Sequence, residues 1–390
     1  MSALTLRVAV TAFTPLAARI SDEVGFSSTV VGVFGMVPTA MFAVFGLITP
    51  MLGRRLGLER TVLLAMLLAG IGMLTRALVS DVWSLLVLSG VALGGMGIGN
   101  VVIPPLVKRY FSDRLAVMSS VYIVMVQLGT VIPALIAVPV ADSHGWRTSI
   151  GIWALLGFVA ALPWIAIIAD RRGRDRNDRT AVPQAAPNAK VWQTSLGWAM
   201  AGMFGMTSLI TYSMFTWVPK LLTDAGASSA FAGSMVGVFA LVGLIPAFAA
   251  PTMCARIANP LPIVIVCALC YVVGFLGLLI APMSAPILWI VIVGFGPSTF
   301  PMSLTLINLR TRTQAGSSAL SGFTQGLGYT VACLGPLLFG VLHDSSHGYT
   351  VPFAFLFIAV AIVLVASWHA CKPRYLEDMW AARDARETSA

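Results

Sequence analysis

Charge is what this chain has least of. Only 10% of its 390 residues are Asp, Glu, Lys or Arg, against 58% that are hydrophobic, whereas soluble domains carry about 25% charged residues. So little charge excludes a water-soluble globule, because most of the surface would have nothing to hydrate it. Histidine and cysteine are scarce too, at four and five residues. His144, His343, His347 and His369 fall at the ends of apolar runs, and Cys254, Cys267, Cys270, Cys333 and Cys371 lie in or beside apolar runs of the second half. An odd number of cysteines in such places implies no disulfide framework. The Cys267–Cys270 spacing reads as small apolar packing rather than a redox pair. No His, Cys, Asp or Glu cluster has catalytic or metal-ligand spacing, so an enzyme is not expected, nor any cofactor or metal. Residues 1–20 lack the basic start and small-residue cleavage site of a signal peptide.

What the chain has instead is apolar runs of about 20 residues, each long enough to cross roughly 30 Å of hydrocarbon. Twelve are expected, over 1–20, 30–52, 61–80, 83–107, 115–139, 148–169, 195–218, 230–254, 261–281, 286–309, 316–341 and 350–370. They must be helices, since an open sheet would leave backbone groups unpaired in lipid. The fold class that follows is an all-α membrane protein of twelve transmembrane helices in two six-helix bundles. The expected division is a bundle over 1–169, a basic linker over 170–194, a second bundle over 195–370 and a tail over 371–390. With both termini cytoplasmic, nineteen of the 24 Lys and Arg fall on the inner side, and only Arg19, Arg76, Arg147 and Lys220 on the outer. The inner excess sets that orientation in a plasma (inner) membrane. The formal charge of +9 therefore points to a lipid bilayer and not to nucleic acid as the partner. The sequence specifies no oligomeric state.

The chain also repeats itself. Gly25, Ser27, Ser28, Gly32, Pro50, Arg55 and Arg109 recur 201 residues later as Gly226, Ser228, Ser229, Gly233, Pro251, Arg256 and Arg310. Two similar parallel halves around a central path are a transporter's architecture.

All fifteen carboxylates can be placed in loops, linker or tail, which argues against a carboxylate-coupled proton pump. One cation, Arg7, is left inside an apolar run. The repeat sets Arg7 opposite Ser208, midway along the seventh helix. The first helix is therefore expected to begin upstream of Met1 or to be unusually short, with Arg7 near mid-membrane. A buried guanidinium without a carboxylate calls for an anion or several carbonyls. The candidate substrate-binding set is Arg7, Asn100, Tyr122, Gln127, Tyr212, Trp217, Ser303 and Gln325, with Tyr329 one turn beyond Gln325. Alternatives stay open for several: an interhelical hydrogen bond for Asn100, an interfacial aromatic belt for Trp217. The glycines at 90, 94, 95, 97 and 99 lack the strand and Lys of a phosphate loop and suit close helix packing. Lys108, Arg109, Arg310 and Arg312 are expected at cytoplasmic helix ends, favouring the helix dipole.

The twelve spans, the basic linker and the segment Gly53-Arg54-Arg55-Leu56-Gly57-Leu58-Glu59-Arg60 resemble the major facilitator superfamily. One departure is that Arg54 stands where the signature loop has an aspartate. Within the superfamily the chain is most similar to the cyanate and 2-nitroimidazole permease branch, through Leu6-Arg7, Gly99-Asn100 to Lys108-Arg109, Trp217-Val218-Pro219 with Asp224 and Gly226, Leu309-Arg310-Thr311, Leu320-Ser321 and Gly328-Tyr329. That resemblance implies movement of a small, polar, often anionic molecule, with Arg7 at the position of the branch's helix 1 arginine. A drug efflux antiporter of the same superfamily is the alternative, favoured by Phe215, Trp217 and the Met-rich helices and opposed by the absence of intramembrane carboxylates.

Overall fold

Turns placed by glycine divide the chain into its crossings. In the computed structural model, which describes residues 1–111, 115–171 and 191–381, the helices are α1 (Ser2–Val24), α2 (Ser28–Leu56), α3 (Leu58–Arg76) and α4 (Val82–Tyr110). A continuous stretch, Leu115–Gly151, folds back at Gly145, whose φ of 82° and ψ of 156° are non-helical. It therefore supplies α5 (115–144) and opens α6 (146–171). The second half holds α7 (Ser195–Asp224), α8 (Ser229–Val242 with Leu244–Arg256), α9 (Leu261–Ile280), α10 (Pro286–Leu309), α11 (Gln314–Ala332 with Leu334–Ser346) and α12 (Thr350–Ala370).

Ten stretches among the described residues are long and apolar enough to cross a bilayer, one of them the 47-residue Val124–Asp170 that α5 and α6 share. The remaining crossing is α7, helical over 30 residues but diluted by glycine, threonine, serine and tyrosine. Its buried polar positions face protein, so it has less need of hydrophobicity. The expected linker lies mostly outside the described residues, and the expected tail is described to residue 381. The side chains of Arg54, Pro104, Pro105 and Lys108 also lie outside those described.

The repeat is visible in the turns. Gly25 ends α1 at φ 81° and Gly226 follows α7 at φ 100°, a region that costs glycine nothing and other residues roughly 1–2 kcal/mol. The serine two residues beyond each glycine then begins the next helix, and Ser228 accepts a hydrogen bond from the Phe231 N–H at 3.3 Å.

The glycines of α4 sit where neighbours come closest. A methyl at Gly95 would strike the backbone of Ala65 and Ala69 on α3, one at Gly97 the Met41 carbonyl on α2, and one at Gly99 the side chain of Leu6 on α1. With lipid as apolar as leucine, such van der Waals contact is what holds membrane helices together.

The halves meet through α2 with α11, α5 with α8, and α1 and α2 with α7. Towards the turn joining α1 and α2 the seam is tight. Asp344 accepts from the backbone N–H of Thr29 at 2.9 Å and from its hydroxyl at 2.5 Å. A methyl at Gly32 would meet the Pro336 carbonyl, and one at Gly233 would meet Pro15 and Val138. Towards the opposite end, a methyl at Gly46 on α2 or Gly322 on α11 would meet nothing within 4 Å. Among the described residues the seam is closed at the first end and open at these two glycines towards the other.

Candidate functional site

Arg7 sits where the closed and open parts of the seam meet. Ser2, five residues before it, accepts a hydrogen bond from the Trp164 indole at 3.0 Å, which ties the start of α1 into the N-terminal bundle. From α1 the guanidinium reaches across the seam, and Nη1 donates to the Tyr212 hydroxyl on α7 at 2.9 Å. It lies over the Phe42 ring of α2, 4.9 Å from the centroid. Tyr329 and Tyr122 are its other electrostatic neighbours. Tyr212 and Tyr329 both present their edges to Phe42, at 6.5 and 6.0 Å, so three rings from three helices wall the guanidinium.

Every one of these neighbours is uncharged, and among the described residues no carboxylate comes within ion-pair distance of Arg7. The side chain is nonetheless only partly sealed from solvent-sized space. A cation held deep in protein, bonded through neutral hydroxyls and reachable from a cleft, can stabilise a negative charge that enters that cleft.

The other sequence candidates divide into those near the cluster and those remote from it. Tyr122 joins it from α5. Asn100 is half-buried on α4 beside Gly99, which packs on Leu6, and it makes no hydrogen bond among the described residues. Gln325, one turn from Tyr329, donates to the Ser321 hydroxyl at 2.7 Å. Gln127 donates across the seam to the Ala240 carbonyl at 3.0 Å, a carbonyl beside the break in α8, so its amide pins the halves together.

Trp217 and Ser303 are not brought to the cluster. The Trp217 indole is 1% exposed, stacked on Phe339 at 5.2 Å, and its N–H donates to the Pro336 carbonyl at 3.0 Å. It therefore forms no part of an interfacial belt, and its one polar group is already used. Ser303 is fully buried and donates to the Phe300 carbonyl of its own helix at 2.7 Å.

Sequence reasoning missed Phe42, the ring beneath the guanidinium, because a phenylalanine in an apolar helix gives no signal of its own. It also missed the burial of two arginines. Arg76, counted among the outer-side cations, is 1% exposed, and Arg310, expected at a helix end and found there, is 7% exposed. The repeat held a usable signal for the first, since Arg76 aligns with Gly277, a glycine packed against Trp289.

The comparisons with known proteins agree with this architecture. The Major Facilitator Superfamily profile matches residues 1–333, and the chain belongs to that family of membrane transporters. It is 32% identical over 380 residues to the uncharacterized transporter YycB of Bacillus subtilis (strain 168), spanning 96% of this chain and 92% of that one. The 2-nitroimidazole transporter of Escherichia coli (strain K12) is 29% identical, over 96% of this chain and 94% of its own. The cyanate transport protein CynX of the same strain is 28% identical over 93% of each. Among solved structures, a bacterial homolog of the human lysosomal transporter Spinster superposes with a TM-score of 0.72 at 14% identity, covering 95% of this chain and 93% of that one, a likeness of fold. The protein is thus a multi-pass membrane transporter and not an enzyme.

Proposed function

We propose that the protein moves a small polar anion, of about the size of cyanate, across the plasma membrane by alternating access, with Arg7 as the charge that receives it. The observation that carries this reading is the Arg7 guanidinium: enclosed at the seam of the halves, bonded to the Tyr212 hydroxyl, and without a carboxylate partner among the described residues. Burying such a charge alone is costly, and a solute that supplies the missing negative charge recovers that cost each time it binds. The names of two relatives, a cyanate transport protein and a 2-nitroimidazole transporter, support a small polar cargo.

In this reading Arg7 neutralises the solute while Asn100, Tyr122, Gln325 and the hydroxyls of Tyr212 and Tyr329 offer hydrogen bonds. Residues 1–169 and 195–370 act as the two rocking bodies, joined on the cytoplasmic side by the basic linker over 170–194, with the tail over 371–390 on that side too. Opening requires release of Thr29 from Asp344 and of Gln127 from the Ala240 carbonyl. Closing the opposite end then traps the solute between α2 and α11.

The test is uptake of radiolabelled cyanate, nitrate and formate by proteoliposomes. Wild type is expected to concentrate or equilibrate at least one of these ions. Arg7→Ala is expected to lose about 100-fold or more of that flux, in keeping with the 2–5 kcal/mol that removal of a buried charged partner costs. Undiminished flux in a folded Arg7→Ala protein would remove Arg7 from this role.

A further inference from the structure

One turn beyond Arg7, towards the closed end of the seam, lies a second arginine with most of its hydrogen-bonding capacity unspent. Arg76 ends α3, and its side chain runs back among α1, α2, α4 and α7. A break in α1 gives it one partner. The Phe13 N–H bonds to the Val10 carbonyl at 3.2 Å in place of the Ala9 carbonyl, just before Pro15, which cannot donate. The freed Ala9 carbonyl accepts from Arg76 Nη1 at 3.1 Å. Nε and Nη2 of Arg76 are buried with no partner, as is the hydroxyl of Ser89 on α4.

Arg76 and Ser89, which carry these unpaired donors, are among the residues lining a cavity of about 30 Å³. A water needs roughly 10–15 Å³ measured this way, so there is room for two or three waters or one triatomic ion, and none for a drug-sized molecule. No carboxylate is among the described residues that line it. The two threonines on its wall have their hydroxyl protons committed, Thr14 to the Val10 carbonyl at 2.9 Å and Thr216 to the Tyr212 carbonyl at 2.8 Å. The Phe13 ring stands 5.9 Å from the guanidinium. Cavity-lining residues repeat the Arg7 surroundings one turn on: Thr216 follows Tyr212 on α7, Pro38 precedes Phe42 on α2, and Val10 follows Arg7 on α1. The cavity is stacked on the Arg7 site along the same three helices.

We propose that this cavity is a second anion site, in which Nε and Nη2 of Arg76 and the hydroxyl of Ser89 donate to a small anion of no more than three or so heavy atoms. Three unpartnered donors on two residues that line one small space, with a positive charge and no counter-charge beside it, are what such an ion requires. Its position makes it the next station for an ion leaving Arg7 towards the closed end. That relay role rests on the transport reading given above; the binding itself does not.

The experiment titrates purified protein with sodium chloride, nitrate or cyanate at constant ionic strength against gluconate, an anion too large for the cavity, and reads thermal stability. The proteins compared are wild type, Arg7→Ala, Arg7→Ala with Arg76→Gln, and Arg7→Ala with Ser89→Ala. Arg7→Ala is expected to keep a saturable stabilisation by at least one of the three ions. Arg76→Gln is expected to abolish it, and Ser89→Ala to weaken its affinity about 3- to 10-fold, the worth of one hydrogen bond. No stabilisation in Arg7→Ala by any of the three, or an unchanged titration after Arg76→Gln, would overturn the proposal and leave the cavity to water. Should Arg76→Gln fail to fold, an unchanged titration in the Ser89→Ala protein overturns it equally. Loss of cyanate flux is not read here, so failure of the transport assignment and failure of this site remain separate results.

Discussion

Arg76 and Arg310 are both buried arginines at the ends of helices, and they differ in how many of their protons are used. Arg310 has both Nε and Nη2 committed to backbone carbonyls. Its Nη2 donates to the carbonyls of Ala258 at 3.1 Å and Cys371 at 2.7 Å, and its Nε to that of Ala370 at 3.4 Å. Those carbonyls belong to chain ends just past α8 and α12, where helix termini leave acceptors without intrahelical partners. A single guanidinium thus ties three chain segments together, with its Nε and Nη2 edge given over to carbonyls of the protein. Arg76 satisfies one carbonyl and leaves Nε and Nη2 free. Arg7 likewise leans on neutral tyrosines. The contrast separates an arginine that belongs to the scaffold from one that is available to a solute.

The largest effect expected from breaking that contrast is on stability. Arg310→Met leaves three carbonyls without that donor, two of them on the buried residues Ala370 and Cys371, at about 1–3 kcal/mol for each that finds no water. Thermal unfolding in detergent should therefore show a loss of about 2–5 kcal/mol. Arg76→Met deprives only the Ala9 carbonyl and removes an unpaired charge from a low-dielectric site, which can be neutral or stabilising. Its stability in gluconate buffer should stay within about 1 kcal/mol of wild type. Equal destabilisation by both substitutions would make Arg76 a scaffold residue too.

A smaller effect is expected at the closed end of the seam. Asp344→Asn weakens two charge-assisted hydrogen bonds from Thr29, worth about 1.5–3 kcal/mol each before compensation. It should shift the population towards the state open at that end. Maleimide labelling of a cysteine placed at Val31, now 6% exposed, should accelerate about tenfold. An unchanged labelling rate would show that apolar contacts such as Gly32 with Pro336 hold the seam unaided.

Smaller still is the loss of one hydroxyl beside Arg7. Tyr212→Phe is expected to weaken anion affinity about 3- to 10-fold, the effect of a single hydrogen bond, with little change in the folded fraction. Tyr329→Phe should do less, because Tyr212 provides the 2.9 Å contact to the guanidinium. Equal losses would mean that the anion, once bound, draws both hydroxyls to itself.

These comparisons also show what the sequence could and could not tell. The crossings were legible because lipid imposes length and hydropathy on each segment, and the turns because Gly25 and Gly226 repeat at matching places. The depth of Arg7 was legible through its alignment with Ser208, one turn from its partner Tyr212. The burial of Arg76 and Arg310 was not. Counting charges by side assigns a cation at a helix end to the nearer water phase, yet helical side chains tilt towards the helix N-terminus. A long residue in the last turn therefore folds back beneath the membrane surface instead of reaching into water. Trp217 was illegible for a different reason. Near the end of a membrane helix the same amphipathic indole suits a headgroup belt or a buried site with one acceptor, so Trp217 on α7 fits a belt and a core equally well.

The tail that covers Arg310 offers the mildest test, through pH. The Leu376 N–H donates to the Arg310 carbonyl at 3.0 Å. Beside it the Glu377 carboxylate accepts from the Arg312 and Thr313 N–H groups at 3.1 and 3.0 Å and from the Thr313 hydroxyl at 2.8 Å. Partial burial pushes the Glu377 carboxyl up, but these hydrogen bonds outweigh it and hold the group below the ordinary carboxylate value. A carboxylate depressed in the folded state gives its full stabilisation above its unfolded value of 4.5 and loses it as pH falls through the folded one. Between pH 7 and 5 the docking of residues 376–381 should therefore not change. Below about pH 4.5, where the ordinary carboxylate begins to protonate, hydrogen exchange at the Leu376 amide should rise progressively. Glu377→Gln should raise exchange at neutral pH and flatten that dependence. Because Glu377 is half-exposed, solvent screening keeps the effect small. Its use lies in the reporter: if exchange at Leu376 rises while Arg310 stays bonded to the carbonyls of Ala258 and Ala370, that arginine holds its helix ends without the tail. A simultaneous loss of global stability would show that the tail seals it.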